Sequence, residues 1–104
     1  MKDCIQIQGI YYNLGFNLRT RVIYERITGK PMDENMGTFE NIVFFYAILC
    51  AFNRETFRMT FDEFFDLLNE HEELYTDLLL WIDEYSRRQL EVLEPPVETD
   101  KKKE

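Results

Sequence analysis

Side chains that do chemistry are scarce in this sequence. It holds one histidine, His71, and two cysteines, Cys4 and Cys50. Two cysteines are too few for a disulfide-stapled scaffold or a cysteine metal cage. One histidine without a nucleophile motif assembles no Ser-His-Asp set. Lysine and arginine are missing between Thr60 and Ser86, and the chain carries a formal charge of -8. That balance argues against a nucleic-acid backbone as the main partner. The longest apolar run, Ile42 to Phe52, has eleven residues; as a helix it rises only about 16 Å, too short to cross a bilayer. Met1-Lys2-Asp3-Cys4 holds no apolar signal core, so a cytoplasmic protein that does not act at a membrane is expected. No internal repeat is visible, and 104 residues leave room for one domain.

Aromatic side chains are plentiful. Nine Phe and six Tyr raise the aromatic share to 15%, so rings must build much of the core or an interface. Charge is unevenly placed. Residues 1–59 carry seven basic and six acidic side chains, whereas residues 60–104 carry five basic and fourteen acidic ones. The acidic half offers a face for a basic partner, or a solvated helix surface that keeps the protein soluble.

Local patterns predict a mainly α fold: a short N-terminal β-hairpin, then about four helices, as a single domain over 1–94. Ile5 and Ile7 alternate with Gln6 and Gln8, Gly9 breaks the run, and Tyr12, Leu14 and Phe16 resume period two. Asn17 is placed to cap a helix over Leu18–Thr28 with Leu18, Val22, Ile23 and Ile27 at helical spacing, ended by Gly29 and Pro31. Residues 31–37 read as a loop. Thr38 is the expected cap of a second helix, with Glu40 in its first turn, and Asn53 its stop. Thr60 and Glu63 form a capping box opening a helix expected to bury Phe61, Phe64, Phe65 and Leu68. A last helix from about Glu72 carries Leu74, Leu78, Trp81, Ile82 and Tyr85 on one stripe, fading after Leu90. Pro95-Pro96 ends it, and residues 95–104 have nothing to bury and are expected to be a disordered tail.

Motifs that resemble chemistry fail on inspection. Gly29-Lys30 looks like the end of a phosphate loop, but Pro31 replaces Ser/Thr and Tyr24 replaces the first glycine. Counting back from Glu63 as the last position of a calcium loop puts Phe52, Arg54 and Thr56 at ligand positions and Phe57 where glycine is required. Asp33-Glu34-Asn35 has no downstream Glu to close a loop. The pairs Asp62/Asp66 and Glu73/Asp77 lie at i, i+4 with nothing marking a pocket between them. No cofactor, metal or catalytic residue is expected; the sequence reads as a binding protein, not an enzyme. A helix apolar all round needs a cover on every face. Either the other elements wrap it, or Phe44, Phe45, Ile48 and Phe52 meet a partner, an amphipathic helix or a second copy of the chain. Asp62, Asp66, Glu73 and Asp77 are the candidate acidic contacts.

The order of motifs resembles a known family. Tyr12-Asn13-Leu14-Gly15-Phe16-Asn17-Leu18-Arg19, then Tyr24-Glu25-Arg26-Ile27-Thr28-Gly29-Lys30-Pro31, is similar to the opening of tail assembly chaperones of long-tailed phages and prophages. There a short hairpin turns through an "FNLRA"-like stretch into a helix closing on "FEKITGK". Tyr46 to Asn53 and Thr60 to Leu68 resemble the helices that follow, so the resemblance covers about residues 4–70. Thr20 departs from it, standing where Ala is usual. The resemblance implies a chaperone that binds the helical tape-measure protein in the host cytoplasm and keeps it soluble while tail-tube subunits polymerise, with the tail-tube protein a further candidate partner. It also implies an extended form made by ribosomal frameshifting, for which Lys101-Lys102-Lys103 supplies A-rich codons; the alternative is an ordinary solubilising tail. Two other classes fit the residues: a small acidic regulatory or inhibitor protein for a basic partner, and a structural tail or head-completion subunit.

Overall fold

The computed structural model describes residues 3–33 and 36–93. Glu34 and Asn35, the expected tail over 95–104 and the Lys101–Lys103 run lie outside the described residues. Two antiparallel strands, β1 (Cys4–Ile7) and β2 (Ile10–Asn13), precede four helices, α1 (Leu18–Thr28), α2 (Thr38–Phe52), α3 (Phe61–Glu70) and α4 (Glu72–Leu93). The expected hairpin and the helix order are present. Among the described residues no helix is long and apolar enough to cross a membrane.

The hairpin closes through Gln8 and Gly9, with φ of 53° and 84°. Left-handed geometry at both central residues is what a two-residue type I′ turn requires, and it suits the strand twist. Ile5 opposes Tyr12 and Ile7 opposes Ile10, so these four share one face. Ile7 and Tyr12 are buried there, while Ile10 stays exposed near the turn. The main-chain N–H of Leu14 donates to the Asp3 carbonyl at 2.9 Å, extending the pairing past the strand ends.

The side-chain oxygen of Asn17 caps α1, accepting from the Thr20 N–H at 2.9 Å and the Thr20 hydroxyl at 3.0 Å. Gly29 ends the helix in the left-handed region at φ 76°, where a Cβ would be strained. The buried face of α1 differs from the expected one. Thr20 and Tyr24 are buried, whereas Leu18, Val22 and Ile27 are exposed. Thr20 is small enough to sit against the core, and Asn17 satisfies its hydroxyl, so the helix turns Tyr24 inward, packs Ile23 partly against the core and leaves Leu18, Val22 and Ile27 out.

Gly37, rather than Thr38, is the N-cap of α2. It has no side chain to cap with; instead the Glu40 carboxylate reaches back to accept from the Gly37 N–H at 3.0 Å and pairs with Lys30 at 3.1 Å. α2 is the central element. Ile42, Val43, Phe44, Phe45, Ala47, Ile48, Leu49 and Ala51 are all buried, each large side chain contributing about 1.5–3 kcal/mol. The rest of the fold wraps it. Tyr12, Tyr46, Phe57, Phe61 and Phe64 form a connected set of rings with centroids 5.5–6.0 Å apart, joining hairpin, α2 and α3 edge to face.

Asn53 ends α2 and has a second task. Its side-chain oxygen accepts from the Asn13 N–H at 2.8 Å, and its amide donates to the carbonyls of Asn13 at 2.9 Å and Leu49 at 3.1 Å. A buried side-chain amide thus completes the edge of β2 as another strand would. Two residues on, Gly15 faces the Phe52 ring so closely that a Cβ there would lie 2.8 Å from Cζ.

α3 opens on the expected capping box: the Glu63 N–H donates to the Thr60 hydroxyl at 3.1 Å, and the Thr60 N–H donates to the Glu63 carboxylate at 2.8 Å. Its inner face is Phe64, Leu67 and Leu68, with Phe61 partly buried. Phe65, expected inside, is 47% exposed. On α4, Leu78 and Trp81 are buried, with Leu74, Ile82 and Tyr85 packed against the same core.

Candidate interaction surface

Phe45 and Ile48 are fully buried, and Phe44 is nearly so, in the cluster that holds the fold together. Phe45 and Ile48 cannot touch a partner while the domain is folded, which corrects the expectation for those two, whereas Phe44 reaches the surface only where it lines hollows beside Phe16. Phe52 is partly buried against Gly15. Of the two alternatives for the apolar helix, the wrapped one is found.

The four acidic candidates do not converge either. Asp62, Asp66, Glu73 and Asp77 are exposed, but they point to different places. Asp66 lines a polar cleft with Glu63, Glu70, Arg58 and Gln8. Asp77 borders a hollow beside Leu80, Trp81 and β1. The Glu73 carboxylate lies 3.4 Å from Nδ1 of His71, the exposed residue that ends α3. Asp62 sits one turn before Phe65, on the same side of α3.

That side of α3 faces a cleft of about 250 Å³ that is mostly apolar. The first turns of α2 contribute Thr38 and Ile42, α3 contributes Phe65, Leu68 and Asn69, and the start of α4 contributes Glu72, Tyr75 and Thr76. Ile42 and Leu68 form a buried floor, and Phe65 stands as a half-exposed wall. Tyr75 is fixed by its ring 6.1 Å from that of Phe45 and by the Asn41 side-chain amide, which donates to its hydroxyl at 3.4 Å. Phe39, one turn from Ile42, is 52% exposed and rests edge-on against Phe61. A half-exposed phenylalanine that walls an apolar cleft, as Phe65 does, differs from a scattered surface apolar residue.

Nothing in the sequence announced this cleft. Spacing allows either Phe65 or Leu67 to flank Phe61, Phe64 and Leu68, because i+4 and i+6 both adjoin that stripe. The hairpin and Phe57, packed on Phe64, draw Leu67 in and turn Phe65 out.

Burial pushes the Cys50 thiol up, so it stays protonated, and the neighbouring Tyr46 phenol is pushed up to about 12, chiefly by burial. A protonated, half-buried thiol is a poor nucleophile. Among the described residues no three His, Cys, Asp or Glu side chains gather as metal ligands.

Comparison with protein-family models, with curated proteins and with solved structures finds no match to this chain. The site is an apolar cleft between three helices, with acidic side chains on α3 and α4 around it.

Proposed function

We propose that this protein is a non-enzymatic tail assembly chaperone, which binds the tape-measure protein of a long-tailed phage or prophage and keeps it soluble during tail assembly. The observation that carries the proposal is the cleft between α2, α3 and α4, where Phe65 is left half-exposed over a buried floor of Ile42 and Leu68. An apolar surface of this kind covers apolar stripes of a client helix that would otherwise aggregate. The order of hairpin, "FNLR" turn, "ITGK" helix end and later helices, described above, supplies the identity of that client. The client is released when tail-tube subunits replace the chaperone on the tape measure.

Co-expression is the test. The full chain, produced with the tape-measure protein encoded beside it, should raise the soluble yield of that protein and co-purify with it. A tape-measure protein equally soluble without the chain, or a gene with no tape-measure neighbour, overturns the proposal. Mass spectrometry of the natural product addresses the frameshifted form over Lys101–Lys103 in the same preparation.

A further inference from the structure

Two apolar hollows flank α2, and they differ in charge. One is lined by Phe16, Phe44, Ile82, Tyr85, Ser86 and Gln89. It has cations at its edge: the Arg21 guanidinium lies 5.8 Å from the centre of the Phe16 ring, and that of Arg88 lies 5.5 Å from the centre of the Tyr85 ring. The other is the Ile42–Phe65–Tyr75 cleft. Its α3 and α4 walls belong to the stretch Thr60–Ser86, which has nine carboxylates and no Lys or Arg. Glu72 lines the cleft itself, Asp62 lies one turn from Phe65, and Glu73 follows Glu72.

We infer that the Ile42–Phe65–Tyr75 cleft takes an amphipathic helix from a polypeptide partner, one whose apolar stripe is flanked by Lys or Arg. This rests on the binding role proposed above and names the chemistry of the client segment. The apolar floor takes two or three side chains at i, i+3/i+4 and i+7 spacing, with Phe65 and Tyr75 as aromatic walls. The carboxylates at the edge meet the flanking cations, which speeds encounter and rejects acidic helices more than it adds affinity. A second copy of this chain, whose α1 leaves Leu18, Val22 and Ile27 exposed, is the competing occupant, and self-association that depends on Phe65 is its signature.

The test uses the full chain and two labelled peptides of about 18 residues, five turns of helix. Both carry the same leucine stripe, flanked by Lys in one and by Glu in the other. Fluorescence anisotropy should show the Lys peptide binding roughly tenfold tighter or more at about 50 mM salt, an advantage that shrinks by about 300 mM as screening shortens. Phe65→Glu should weaken the Lys peptide by roughly tenfold or more, whereas Tyr11→Glu, on the exposed face of the hairpin, should not change it. If Phe65→Glu unfolds the domain, the exposed pair Asp62→Lys and Glu72→Lys gives the reading instead: the preference for the Lys peptide must fall. Equal affinity for both peptides, or binding indifferent to Phe65 and to Asp62/Glu72, overturns the inference. So does self-association in sedimentation velocity that Phe65→Glu abolishes, because a second copy then fills the cleft. Peptide binding without capture of the tape-measure protein supports the cleft and removes the tail-assembly role. Capture that persists unchanged in Phe65→Glu keeps that role and removes the cleft.

Discussion

Asp3 and Arg88 lie 85 positions apart, and their side chains meet in an ion pair with Nη2 2.5 Å from Oδ1. The same carboxylate accepts from the Trp81 indole N–H at 2.9 Å, and the guanidinium lies over the Tyr85 ring, itself 5.0 Å from that of Trp81. The residue just before β1 is thereby held on α4, which carries the hairpin against the last helix. Asp3→Asn should lower the melting temperature by a few degrees at neutral pH. The hydrogen bond from Arg88 is the main cause holding the Asp3 carboxyl below its usual 3.8, against the opposing effect of burial. A depressed acid stabilises the fold above its unfolded value and loses that contribution as pH falls through its folded value. Wild type and variant should therefore converge in melts taken well below pH 3.8; a gap that persists there means the side chain acts through packing alone.

Asn53 should prove more important than a helix terminus normally is. Asn53→Ala leaves the Asn13 N–H and C=O without these partners at a partly buried edge, costing about 1–3 kcal/mol in urea unfolding. Loss of only a few tenths would mean that water takes over the bonds.

Phenylalanines on consecutive helices separate core from surface. Phe45→Ala should destabilise by about 3–5 kcal/mol, since the ring is fully buried. Phe65→Ser should fall within about 1 kcal/mol of wild type, because its ring is half in water already. Chemical denaturation of both variants checks the ordering, and equal losses would place Phe65 in the core after all.

The Tyr46 hydroxyl donates to the Met59 carbonyl at 2.8 Å, and burial is the main cause that pushes its ionisation up to about 12. A raised folded value means the stabilisation is complete below the ordinary phenol value of 10.0 and is lost as pH rises toward 12. Burial raises Tyr24 as well, so ultraviolet titration should show a late-ionising fraction, and Tyr46→Phe should remove its last part, at about 12, together with part of the alkaline loss of stability.

Features legible in the sequence are those decided within a few residues. Asn17 with Thr20, Gly29 after Thr28, and Thr60 with Glu63 are local hydrogen-bond or backbone requirements, and the helices begin or end where they stand. Gly37 displaced Thr38 as a cap because Glu40 reaches back from the third helical position to the Gly37 N–H, a bond in which the cap residue needs no side chain. Longer-range choices were not legible. The rotation of α1 depends on Thr20 fitting against α2, and the fate of Phe65 depends on Phe57 and the hairpin drawing Leu67 inward. Asn53 reads as a helix stop, but its bonds to Asn13 span 40 positions. The candidate site was legible only in its acidity. Its apolar half emerged when three helices met at Ile42, Leu68 and Tyr75.

The near-contact of Gly15 with the Phe52 ring couples two positions that no local pattern connects. With a Cβ 2.8 Å from the ring's far carbon, a side chain at 15 requires the ring at 52 to shrink or swing aside, so position 15 depends on 52 while 52 can shrink alone. In a library randomised at both, survivors should form an L-shaped set: glycine with any bulk at 52, or a larger residue at 15 with a trimmed partner.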